Sequence, residues 1–184
     1  MKLFFLFLLS LSSLLALGVN ESLLKIHATL VPKIYLMDYN FQTKIEDNTI
    51  VIAIIYKEID YQNANTLKKM IEARYKDGIQ SYKIKPIMSK YADIKNFNAN
   101  IYYMFPSSKK EIKSVIREAN MNNSLTFSYL KEDLKYGVMI SLNVSKKIKP
   151  LLNLQAIKEN DISIRPILLN ISTIYTPKII LKEV

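Results

Sequence analysis

The sequence predicts an α/β fold: a single mostly parallel sheet flanked by helices, with a C-terminal antiparallel hairpin. Three observations lead there. Thr49–Tyr56 (TIVIAIIY) is an unbroken β-branched apolar run, the pattern of a central strand covered on both faces. Strand-like and helical patterns then alternate down the chain, as they do in βαβ units that build a parallel sheet. From Gly137 onward the rhythm changes to two strand-like runs separated by a short turn.

The elements follow in order. Leu23, Ile26, Leu30, Ile34, Met37 and Phe41 recur at helical spacing, and Pro32 interrupts them, giving one kinked helix or two short ones. After the strand at 49–56, Asn65 is placed to cap a helix whose Leu67, Met70, Ile71 and Tyr75 share a face and which Gly78 stops. Residues 82–88 form a second strand, weakened by Pro86, which removes a ladder donor. Residues 101–105 (IYYMF) form a third. Pro106 precedes Ser108-x-x-Glu111, a capping box that opens a helix with Ile112, Val115, Ile116 and Ala119 inward. Residues 124–129 make a fourth strand, on which Phe127 and Tyr129 read as sheet packing. Runs 138–144 and 148–154, joined by Ser145-Lys146-Lys147, form the hairpin. A short helix at 155–160, a brief strand at 162–165 and a terminal apolar helix at 167–174 complete one domain spanning 19–184, without internal repeat or linker.

Residues 1–18 are expected to be a cleaved signal peptide, the alternative being an uncleaved N-terminal anchor. Met1-Lys2 supplies the basic start, 3–17 the apolar run and Ala16-Leu17-Gly18 a small-residue cleavage site. The expected location is therefore the bacterial periplasm. No other segment approaches the ~18 apolar residues of a membrane span.

Composition narrows the chemistry. With no Cys, the chain has no disulfides, Cys-ligated zinc, iron–sulfur clusters or thiol nucleophiles. A single His, His27, leaves no multi-histidine metal site. After Tyr56 comes Lys-Glu-Ile-Asp-Tyr-Gln-Asn-Ala-Asn, without the Gly-rich turn that brings backbone N–H groups to phosphate in nucleotide-binding α/β domains. No Gly-x-Ser-x-Gly elbow exists, so a hydrolase is the weakest reading. The expectation is a non-enzymatic protein with no cofactor and no metal.

The formal charge is +10, part of which reflects a composition rich in Lys, Ile and Asn. Two basic clusters stand out. Lys109, Lys110, Lys113 and Arg117 lie opposite the apolar stripe of the capped helix, and Lys146, Lys147 and Lys149 crowd the hairpin turn. Each is either a plain solvated face or a docking surface for an acidic partner or anionic lipid headgroups. No aromatic–basic signature of nucleic-acid binding accompanies them.

Gly137-Val-Met-Ile-Ser-Leu-Asn-Val, Lys149-Pro150-Leu-Leu-Asn153-Leu-Gln-Ala156, Ile162-Ser-Ile and Leu168-Leu169 follow one another in the order of the C-terminal half of the YfiR-like periplasmic family. The chain resembles that family over residues 22–176. The resemblance implies a regulator that binds the periplasmic sensing domain of an inner-membrane diguanylate cyclase and holds it inactive, in cyclic-di-GMP signalling. Redox sensing through cysteines is not implied, since this chain has none. Gly137, Pro150, Asn153, Leu168 and Leu169 match the family pattern and read as structural: Asn153 can cap the helix after it, and Gly137 can relieve a turn. The alternative is a periplasmic small-molecule binding module feeding a sensor kinase or transporter, which needs a deep pocket lined by Tyr56, Met88 and Phe105. A homodimer is compatible with either reading.

Overall fold

Helix α1 (Glu21–Tyr35) starts where the Asn20 carboxamide oxygen accepts the Leu23 N–H at 3.1 Å. In the computed structural model, which describes residues 19–95 and 97–177, it is one helix with Pro32 in its penultimate turn. It ends at Tyr35, so Met37 and Phe41 of the apolar stripe lie beyond it, Phe41 in a 3-10 turn at Phe41–Lys44.

Strand β1 (Thr49–Tyr56) is followed by helix α2 (Tyr61–Arg74) and strand β2 (Lys83–Lys90). Strand β3 (Ile101–Met104), helix α3 (Lys109–Met121) and strand β4 (Leu125–Ser128) come next. The hairpin is β5 (Ile140–Val144) and β6 (Ile148–Leu152), then helix α4 (Leu154–Glu159), helix α5 (Pro166–Ile171) and strand β7 (Thr173–Ile174). The seven strands are ordered β2-β1-β3-β4-β5-β6-β7, and all neighbours are parallel except β5 with β6.

This order explains the apolar run of β1. Ile50, Ile52 and Ile54 face α1 and α2, while Ala53 and Ile55 face α3, so from Ile52 onward both faces of the strand are buried and apolar. Pro86 lies on β2, an edge strand, where a missing N–H costs least. The exposed Lys83, Lys85 and Lys90 discourage further pairing along that edge. After β2 the next strand, β3, is added on the other side of β1, which puts α3 on the sheet face opposite α1 and α2.

Four expectations need correction. Helix α2 begins at Tyr61, so Asn65 is interior; Ala64, as fully buried as Leu67, extends the packed face upstream of it. The same helix ends at Arg74, and Gly78 serves instead in the turn before β2, at φ +81°. Residues 162–165 contribute only an isolated bridge, Asp38 to Ile164, in which the Tyr39 N–H donates to the Ser163 carbonyl at 2.7 Å and the Arg165 N–H to the Met37 carbonyl at 2.8 Å, with the Asp38 carboxylate accepting the Ser163 N–H beside it. The apolar run 167–174 is divided: α5 stops at Ile171, and Thr173–Ile174 adds a seventh strand beside β6.

Candidate functional site

The basic helix is rigidly set. The Ser108 hydroxyl accepts the Glu111 N–H, and the Glu111 carboxylate accepts the Ser108 N–H at 3.2 Å, closing the capping box. Ile112, Val115, Ile116 and Ala119 are buried against the sheet, so Lys109, Lys110, Lys113 and Arg117 project into solvent. None of these four forms an ion pair among the described residues. The Lys109 ammonium lies 5.8 Å from the centre of the Tyr136 ring, which Lys135 approaches to 4.8 Å.

The second cluster is separate. Lys146 and Lys147 form the exposed tip of the β5–β6 hairpin and Lys149 follows, also exposed. Pro150 is buried opposite Leu142. Gly137 caps the 3-10 turn Lys131–Tyr136 at φ +106°. Asn153 caps α4, its carboxamide oxygen accepting the Ala156 N–H at 3.2 Å while its Nδ2 donates to the Leu134 carbonyl at 3.0 Å. The Leu168-Leu169 pair is split, Leu168 in the core and Leu169 at the surface.

In a sheet of this order the topological switch point falls between β1 and β3, where α/β domains usually bind ligands at the strand carboxyl ends. Here that place is filled. Phe105 is fully buried, its ring stacked 6.1 Å from Tyr129; Tyr56 is buried beside Tyr61, and Met88 packs against the core. The Glu111 carboxylate sits across the switch point, accepting from Ser107 Oγ at 2.5 Å, Ser108 Oγ at 2.6 Å and Lys57 Nζ at 3.1 Å. Those donors hold its pKa down at about 2. Beside it Lys90 pairs with Glu58 at 2.7 Å. Behind, burial pushes the Asp133 carboxyl above its ordinary pKa, opposed by the Ser128 hydroxyl donating to it at 2.5 Å. Sequence reasoning did not find the Lys57–Glu111 bridge, because its partners lie far apart in the chain and neither is distinctive alone.

His27 lies on the opposite face, fully buried on α1, with Nδ1 2.6 Å from the Tyr103 hydroxyl and no serine as partner. Burial lowers its pKa to about 3.

Among solved structures, a conserved domain protein from Vibrio cholerae matches with a TM-score of 0.59 at 15% identity, covering 83% of this chain and 60% of that one. An ABC domain from Streptococcus pneumoniae in complex with L-Trp matches with a TM-score of 0.53 at 10% identity, covering 78% of this chain and 60% of that one. This chain thus spans about three fifths of the length of each, and the likeness is one of fold. No curated protein matches the sequence. Among the described residues no helix is long and apolar enough to cross a membrane, and the expected signal peptide, 1–18, lies outside them. The family model described as YfiR/HmsC-like matches residues 43–173, somewhat narrower than the span of resemblance in the sequence. By that match the chain belongs to the YfiR/HmsC-like family.

Proposed function

We propose that this protein is exported after cleavage near Gly18 and binds the periplasmic sensing domain of an inner-membrane diguanylate cyclase, holding its output down without catalysing a reaction. The observation that carries the reading is the cationic face of α3. Lys109, Lys110, Lys113 and Arg117 stand on a helix locked at its N-terminus by a complete capping box, with no acidic side chain of the described residues paired to them. A preset row of charges steers an acidic partner into register and raises its association rate.

The Streptococcus protein of related fold holds L-Trp. In this chain the strand ends are occupied by Phe105, the Tyr56–Tyr61 pair and the Glu111 carboxylate, which supports a docking surface over a ligand crevice. Deletion of the gene is expected to raise cellular cyclic-di-GMP, and expression of the intact chain to restore it. Unchanged cyclic-di-GMP in the deletion strain would remove this reading. Mass spectrometry of the protein recovered from the periplasmic fraction tests the export step; a retained Met1 in the membrane fraction contradicts it.

A further inference from the structure

A groove of about 320 Å³ opens on the α1 face of the sheet, where α1, the hairpin and α5 meet. Leu30, Met37, Ile148, Pro150, Ile167 and Ile171 line it, and Lys33 is its one charged lining residue among the described residues. Its apolar rim stands well into solvent: Ile167 is 61% exposed, Ile171 53%, and Val144, next to the hairpin tip and paired with Ile148, 52%. The geometry has a local cause. The hairpin runs on past the end of β4, which pairs with β5 only at Phe127–Ile140, and among the described residues Val144 and Ile148 stay exposed.

The lip of this groove is cationic. Ile148 sits between Lys147 and Lys149, with Lys146 beside them, all exposed. The chain has no Asp or Glu from residue 136 to 158 or from 162 to 177. A second copy meeting this surface about a two-fold axis would set lysine against lysine, which disfavours self-association here. Protein interface cores are enriched in aromatic residues and Arg and depleted in Lys, whereas among the described residues no aromatic or Arg lines this groove and lysines dominate its lip. Aliphatic side chains interleaved with lysines suit a bilayer: the aliphatics enter the headgroup–acyl boundary while the ammonium groups meet anionic headgroups.

We infer that the hairpin tip and the α5 rim form a membrane-docking surface for a bilayer rich in anionic lipid. It lies on the sheet face opposite α3, so a docked molecule keeps the basic face of α3 free for a protein partner.

The test is co-sedimentation of the purified full chain with phosphatidylcholine vesicles and with vesicles of phosphatidylcholine mixed with phosphatidylglycerol. Parent and variants share one N-terminus, so any contribution of residues 1–18 cancels. Binding is expected to rise with phosphatidylglycerol and to fall with salt, since the Debye length shrinks from ~10 Å at 0.1 M to ~3 Å at 1 M. Each basic residue near an anionic leaflet contributes ~1 kcal/mol, about fivefold, so Lys146→Gln with Lys147→Gln and Lys149→Gln should weaken binding about a hundredfold. Ile167→Thr with Ile171→Thr should weaken it as well. Charge reversal at Lys110, Lys113 and Arg117 should leave it unchanged. Circular dichroism checks each fold, and the glutamine variant, confined to an exposed turn, decides the question if the threonine variant does not fold. Absence of phosphatidylglycerol-dependent binding in low salt overturns the inference. So does binding that survives the glutamine changes and is lost with the α3 changes. A hairpin variant that loses cyclase repression while binding vesicles normally assigns the surface to a protein and overturns it too.

Discussion

The His27 imidazole and the Tyr103 hydroxyl lie 2.6 Å apart across the interface of α1 and β3, in a site closed to solvent. Phe127 and Tyr129 crowd the ring at centroid distances of 5.4 Å each, and Nε2 has no hydrogen-bond partner among the described residues. An imidazolium there would be stripped of bulk solvation, which is why burial lowers the pKa from 6.5 to about 3.

The pH dependence follows from the sign of that shift. Below about pH 6.5 the unfolded chain takes up a proton that the folded chain refuses until about pH 3. Stability therefore falls as pH falls through this window, by up to ~1.4 kcal/mol per pH unit. Urea denaturation between pH 7 and 5, above most carboxylate titration, should show this slope. His27→Phe should flatten it, while costing ~1–3 kcal/mol at pH 7 by leaving the Tyr103 hydroxyl unpaired. An unchanged slope in the variant would show that His27 is not the group responsible.

The Glu111 carboxylate links the first turn of α3 to the end of β1 through Lys57. Glu111→Ala removes both the capping box and that link, and should destabilise the protein by ~1–2 kcal/mol at neutral pH. Because the carboxylate titrates at about 2 instead of 4.5, its stabilisation is present above pH 4.5 and is lost only as pH falls toward 2. Denaturation midpoints of parent and variant should accordingly keep a constant gap between pH 5 and 7.

Two glycines separate backbone strain from steric contact. Gly137 and Gly78 both have positive φ, +106° and +81°. A Cβ on Gly137 would meet nothing closer than Ile116 Cδ1 at 3.8 Å, whereas one on Gly78 would lie 2.4 Å from the Tyr82 carbonyl oxygen. Gly137→Ala should cost ~1–2 kcal/mol from conformation alone, and Gly78→Ala more, in thermal denaturation. Equal costs would mean that the turn before β2 relaxes freely.

Asn153 makes one hydrogen bond into the helix it caps and one back to the Leu134 carbonyl. Asn153→Ala loses the cap and orphans a buried carbonyl, and ~2–3 kcal/mol of destabilisation is expected. At ~2–4 °C per kcal/mol for a chain of this size, calorimetry should register a fall of several degrees in Tm.

What the sequence disclosed tracks what local patterning encodes. Thr49–Tyr56 was legible to the residue because both its faces are buried from Ile52 onward, so no choice of phase was needed. Ser108 and Glu111 marked the start of α3 through chemistry three residues apart. The run 167–174 gave no such signal. Ile, Leu and Thr suit strand and helix alike, and only pairing of Leu151 with Thr173 across the sheet divides it. Asn65 was a plausible cap, but Ala64 packs as tightly as Leu67, and tertiary contact overrode it. For the site, the exposed lysines of α3 were readable from helical phase. The filling of the switch point by Glu111 was not, because Lys57 and Ser107 reach it only through the fold.

The central claim is that the basic face of α3 steers the protein onto its signalling partner, and association kinetics with the purified periplasmic domain of the cognate cyclase test it most directly. Lys110→Glu, Lys113→Glu and Arg117→Glu together should leave the fold intact, since exposed substitutions cost within ~0.5 kcal/mol. The triple variant should associate severalfold more slowly than the parent. The gap should narrow as salt is raised, because screening at physiological ionic strength already acts over ~8 Å. A folded triple variant that associates at the parent rate, with the same salt dependence, would contradict the account.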